Sequence, residues 1–125
     1  MVTANERQVG GEHYKGPDYQ HWDWAHDCRL HYLAGTASKY VSRWRKKNGV
    51  EDLEKTVHYC DKAEELKVGG SIQTSRYRDF WRFVLENNQT LQEAEIIWYI
   101  MEGQWQAARV ATLELIEQAS SDHLR

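Results

Sequence analysis

The chain has 125 residues with a formal net charge of −3, so one compact domain with an ordinary core accounts for the whole of it, 1–125. An acidic balance, with a pI near 6.1, excludes the broad basic face that wrapping of nucleic acid requires. Six Trp and seven Tyr are many for this size and point to a binding surface or a subunit interface.

The first twenty residues form a turn-rich arm, 1–20. Gly10, Gly11 and Gly16 lie here with Pro17, the one proline of the sequence, which leaves the rest free to be helical. The arm carries no apolar leader-like run, and no run anywhere approaches the roughly 20 residues of a membrane span. Cys28 and Cys60 lack any paired-cysteine or finger spacing, so a reduced, soluble, cytoplasmic protein is expected.

Helical periodicity begins at about Asp18 and runs to Leu33, with Gly35 interrupting it before a second helix over Thr36 to Lys47. Asn48 and Gly49 supply the stop, and the cations before them suit the negative end of a helix dipole. A third helix over Val50 to Lys67 carries Leu53, Val57, Cys60, Ala63 and Leu66 at i, i+3, i+4 spacing. Gly69 and Gly70 end it, which closes a helical core over 21–67. Residues Val68 to Thr74 read as a linker to a C-terminal helical set over 75–119. That set comprises Arg76 to Glu86, Leu91 to Met101 behind a Thr90/Glu93 capping box, and about Gln104 to Ala119. The expected fold is therefore all-α, a small helical domain of about six helices behind an N-terminal arm.

Chemistry concentrates between Gly35 and Tyr59. Lys39, Arg43, Arg45, Lys46 and Lys47 fall in nine residues with no acid among them. On a helix Lys39, Arg43 and Lys46 or Lys47 share one face, away from Tyr40, Val41 and Trp44. Guanidinium forks and mobile ammonium groups in such a stripe suit phosphate oxygens. The same pattern also describes a solvated helix end. His13 and Tyr14, in the glycine-flanked arm, read either as a lid that stacks on a base and donates to phosphate or as a strap packed on the helices.

His21, His26 and His31, with Cys28, Asp23 and Asp27, invite a metal reading that their spacing weakens. Steps of five residues drift about 140° round a helix, so no protein-held metal is expected. Asp52 and Asp61 could instead help position hydrated magnesium arriving with a nucleotide, or simply cap a helix start. A GxxxxGK[ST] loop, GxGxxG and GxSxG are all missing, which removes a P-loop mechanism.

Taken together, Gly10-Gly11-Glu12-His13-Tyr14, Gly35-Thr36-Ala37-Ser38-Lys39-Tyr40-Val41-Ser42-Arg43, Lys46-Lys47-Asn48-Gly49, Glu51-Asp52-Leu53-Glu54-Lys55 and His58-Tyr59 resemble a small bacteriophage domain family. That family, long of unknown function, includes a T7-type nucleotide kinase lacking a P-loop. The resemblance covers about residues 9–67, and Thr36 departs from it where the family usually has Asn. It implies catalytic roles for His13, Lys39 and Arg43. It also implies substrate contacts from Tyr14, Tyr40, Lys46, Lys47, Asp52, Lys55 and Tyr59, with Asp52 orienting Lys55 or a metal.

The function expected is thus phage nucleotide binding in the host cytoplasm, in the form of a nucleoside monophosphate kinase using Mg2+ with its nucleotide. Two alternatives stand beside it: a non-catalytic protein that sequesters a host immune messenger, and a helical inhibitor of a host protein presenting Trp81, Trp98 and Trp105. A homo-oligomer is expected in each case, since Phe80, Trp81, Phe83 and Val84, with Ile96 to Ile100, exceed what one small core should bury. Neither a membrane nor nucleic acid is an expected partner.

Overall fold

A computed structural model describes residues 3–7 and 16–123. The described residues contain a 3-10 turn at Ala4–Glu6 and six α-helices: α1 His21–Asp27, α2 Tyr32–Arg43, α3 Val50–Glu65, α4 Arg76–Glu86, α5 Leu91–Met101 and α6 Trp105–His123. No strand occurs among them. The fold is all-α, as the periodicity implies. The arm residues His13 and Tyr14 lie outside the described residues.

Three boundaries differ from expectation for local reasons. The first helix ends at Asp27 rather than Leu33, because Arg29 takes a left-handed φ of 53° and the amide of Leu30 closes back on the carbonyl of Ala25 at 3.0 Å, a C-terminal closure usually made with glycine. The His31 ring then accepts from the Leu33 amide as the N-cap of α2. Gly35 is consequently inside α2, its own amide bonded to the His31 carbonyl at 2.8 Å. At the far end α2 stops at Arg43, and residues 44–49 form a turn in which the Gly49 amide reaches the carbonyl of Trp44 at 2.9 Å. Gly49 has a φ of 62°, so the turn uses its freedom directly.

Helix α2 packs on α3 and α5, α3 and α5 both pack on α6, and α1 lies against α4. The core runs through all six helices, with Trp24, Val41, Leu53, Phe80, Phe83, Ile96, Ile97, Ile100 and Met101 buried together. Small residues on α2 and α3, Ala37, Cys60 and Ala63, are fully enclosed. The Thr56 hydroxyl bonds the Ala37 carbonyl at 3.2 Å. Burial pushes both free thiols, Cys28 and Cys60, up to about 12, so neither is a reactive thiolate.

The segment expected as a linker is packed instead. The Ser71 amide donates to the Met101 carbonyl at 2.7 Å and Trp105 Nε1 to the Val68 carbonyl at 2.8 Å. A Cβ on Gly103, whose φ is 72°, would lie 2.6 Å from the Gly70 amide nitrogen. The isoleucines feared to be surplus, Ile96, Ile97 and Ile100, are wholly buried within the chain, as are Phe80 and Phe83. Trp105 is buried too, and Trp98 stacks on Tyr77 with centroids 5.1 Å apart. Of that apolar set Trp81 stays half exposed, in line with Tyr77 and Leu85 on the outer face of α4. No helix among the described residues is long and apolar enough to cross a membrane.

Candidate phosphate site

The C-terminal turn of α2, the strap before α1 and the loop between α4 and α5 enclose a cavity of about 470 Å³. Lys39, Ser42 and Arg43 come from α2, and Lys46 and Lys47 from the turn after it. Pro17, Gln20 and His21 close one side, and Phe83, Asn87 and Gln89 close the other. The strap is held on α4 by its backbone: the Tyr19 amide donates to Glu86 at 3.2 Å and Asn87 Nδ2 to the Tyr19 carbonyl at 2.8 Å. Gln89 Nε2 donates to the Ser42 carbonyl at 3.0 Å, tying the α4–α5 loop to α2.

The electrostatics of this cavity are one-signed. Four cations line it and the described lining contains no carboxylate, in a protein whose formal charge is −3. Among the described residues no carboxylate lies within ion-pair distance of Lys39, Lys46 or Lys47, whereas Arg45, Arg82 and Arg109 each have one. Arg43 stands 3.4 Å from Asp52, yet its Nε makes no well-aligned hydrogen bond, and Gln89 Oε1 is likewise buried without a partner. An unpartnered acceptor in the cavity wall costs about 1–3 kcal/mol, which a ligand donor offsets.

His21 faces the same cavity. Its Nε2 lies 2.8 Å from Ser38 Oγ, while that hydroxyl gives its own proton to the Ala34 or Gly35 carbonyl at 2.8 and 3.0 Å. The hydroxyl proton being spent, Nε2 must carry the ring proton and donate it, which leaves Nδ1 as the acceptor. Edge contacts to Trp24 and Phe83, both at 5.7 Å, enclose the ring. Burial, and then Lys39, hold it down to about 4. A neutral imidazole among cations results.

Of the sequence-predicted site residues, the structure brings Lys39, Arg43, Lys46 and Lys47 together. Tyr40, Lys55 and Tyr59 do not line the cavity; they cluster beside it on the outer face of α2 and α3. Asp52 is completely buried and accepts from the Asn48 amide at 3.2 Å, so it holds the turn and Arg43 and does not reach Lys55 as an orienting group. Arg45, part of the same cationic block, is committed to structure: its fork grips the buried Glu93 at 2.6 and 2.9 Å, alongside Trp44 Nε1 at 2.6 Å.

Sequence reasoning missed His21 as a cavity residue, along with Gln20, Phe83, Asn87 and Gln89. A signal existed in the Asn87-Asn88-Gln89 loop, three amides between two helices. Among the described residues no three His, Cys, Asp or Glu side chains converge to hold a metal ion.

Residues 10–61 match the model of the family described as protein of unknown function (DUF3310). The match covers under half the chain and includes the four cavity cations, whereas Phe83, Asn87 and Gln89 lie beyond it. Neither the comparison with curated proteins nor that with solved structures gave a match.

Proposed function

We propose that the cavity binds a nucleotide by its phosphates and that the protein is a phage-encoded nucleoside monophosphate kinase without a P-loop, working in the host cytoplasm as a homo-oligomer. The observation that carries this reading is the convergence of Lys39, Arg43, Lys46 and Lys47 on one carboxylate-free cavity. A volume of about 470 Å³ falls within the range of small-ligand sites, about 300–1,000 Å³. The side-chain amide hydrogens of Asn87 and Gln89 are committed to backbone carbonyls, so their side-chain oxygens remain as acceptors suited to a sugar or base edge.

In this reading an oxygen of the monophosphate attacks the γ-phosphorus of a nucleoside triphosphate. The bond from that phosphorus to the β,γ-bridging oxygen breaks, and the departing diphosphate keeps the electron pair. Lys39, Arg43 and Lys46 neutralise the charge on the transferred group's oxygens, the main task in such a reaction. Magnesium enters bound to the triphosphate, as part of the substrate.

Incubation of the protein with dTMP or dGMP, a nucleoside triphosphate and magnesium should give the diphosphate. No diphosphate from any of the four deoxynucleoside monophosphates would end the kinase reading. The second reading is sequestration without turnover, favoured by a described lining that offers cations and amides but no carboxylate to act as a base. Recovery of an unaltered nucleotide from heat-denatured protein, with no turnover of added substrate, would select it.

A further inference from the structure

Lys39 and Arg43 belong to two neighbourhoods at once. On one side they line the cavity. On the other, Lys39 Nζ and the Arg43 guanidinium lie 5.2 and 4.8 Å from the centre of the Tyr40 ring, and Lys55 Nζ approaches the same ring at 5.2 Å. Helix geometry explains the arrangement. With about 100° between successive residues, Tyr40 lies roughly 100° round from Lys39, Ser42 roughly 60° the other way, and Arg43 between Lys39 and Tyr40. Lys39 and Arg43 are therefore a ridge between the cavity and the tyrosine face.

That face carries three rings. Tyr40 meets Tyr59 at 5.8 Å between centroids, and Tyr59 meets Tyr32 edge-on at 6.5 Å, with His58 flanking at 6.2 Å. Tyr32 is 71% exposed, with solvent over most of its ring. Among the described residues no carboxylate pairs with Lys55, so a cation and flat aromatic surface stand together unneutralised. Stacking on aromatic faces beside lysines is how proteins hold bases whose phosphates point toward the cations.

We propose that the Tyr32, Tyr40 and Tyr59 face is a second nucleotide subsite, which stacks the base of one nucleotide and directs its phosphates over Lys55 toward the Lys39/Arg43 ridge, where they meet the phosphates of the nucleotide in the cavity. The inference rests on the nucleotide reading of the cavity and deepens it: transfer between two nucleotides needs two subsites whose phosphates adjoin.

The test uses the full chain, with adenosine 5′-(β,γ-imido)triphosphate, dTMP and inorganic tripolyphosphate as probes. Ring signals of Tyr32 and Tyr59 in an NMR titration should move with the nucleotides and not with tripolyphosphate, which should move only signals of the cavity and of Tyr40, whose ring adjoins Lys39 and Arg43. Tyr32→Ala, at an exposed position that leaves the fold intact, should weaken binding of the imido-triphosphate about tenfold, as loss of one stacked base predicts. Its tripolyphosphate affinity should stay within about twofold of the parent's. Tyr32 and Tyr59 rings that ignore the nucleotides, or respond equally to tripolyphosphate, overturn the proposal, as does a Tyr32→Ala variant whose only change is a smaller mass by light scattering. Failure of the cavity reading looks different: tripolyphosphate then moves no signal of Lys39, Arg43 or Lys46, while the rings still report on the second subsite.

Discussion

Lowering the pH from 7 to 5 should cost this protein stability through His21 in particular. The imidazole is held from 6.5 down to about 4 by burial and by Lys39, so the unfolded chain binds the proton more readily than the folded one. Stability from this group is therefore complete above about pH 6.5 and is lost as pH falls toward 4. With those two values the linkage relation gives a loss of about 0.2 kcal/mol at pH 7 and about 2 kcal/mol at pH 5. An unfolding entropy of about 2.1 cal/mol/K per residue over this chain converts the difference, about 1.8 kcal/mol, into a fall in Tm of about 7 °C. His21→Gln keeps a donor for Ser38 but has no proton to gain. Differential scanning calorimetry of both proteins at pH 7 and pH 5 isolates the effect from the other histidines and the carboxylates. Equal falls in Tm for the two proteins would show that His21 is not enclosed as described.

Three further outcomes follow from the packing and the cavity. Lys46→Ala and Lys47→Ala should each weaken tripolyphosphate binding about fivefold by calorimetric titration, with Tm within about 2 °C, since both side chains are exposed and each charge contributes about 1 kcal/mol. Arg45→Ala should behave in the opposite way: urea unfolding should show a loss of about 2 kcal/mol, below the 3–5 of a fully buried pair because Arg45 is 42% exposed, with tripolyphosphate affinity retained. Gly103→Ala, at a φ of 72° and 2.6 Å from the Gly70 nitrogen, should cost about 1–3 kcal/mol by the same assay.

Much of the fold was legible because its signals are local. Apolar spacing and the Thr90/Glu93 capping box placed α5 at Leu91–Met101, and α4 followed from its broad apolar face. The break at Arg29 was not legible, since the sequence offers no glycine where the chain turns left-handed and the compensation comes from tertiary contacts such as Ser71 Oγ to the Cys28 carbonyl at 2.7 Å. The site divides in the same manner. Lys39, Arg43, Lys46 and Lys47 could be read as one cluster because they are close in sequence. His21, Phe83 and Gln89 come from separate elements, and only the docking of the strap and of the α4–α5 loop on α2 brings them to it. Periodicity put Tyr40 off the cation face, but it could not tell that Tyr59 joins it there, because that depends on how α3 is rotated against α2.

The sorting of cations explains how an acidic protein maintains a basic cavity. Arg45 is one position from Lys46 and carries the same charge, but it is held by both oxygens of a buried glutamate, one of which also caps α5 by accepting from the Thr90 amide at 2.8 Å. That carboxylate is consumed by structure and cannot neutralise the cavity. Asp52 is consumed similarly, buried under Arg43 and fixed by the turn at Asn48. Two acids beside the cationic block, Glu93 and Asp52, are thus turned away from solvent and into the fold, while the lysines beside them keep their charge toward the opening. Positive potential at the cavity therefore arises from where the acids are buried as much as from where the lysines stand, and it persists although the molecule as a whole repels anions at long range.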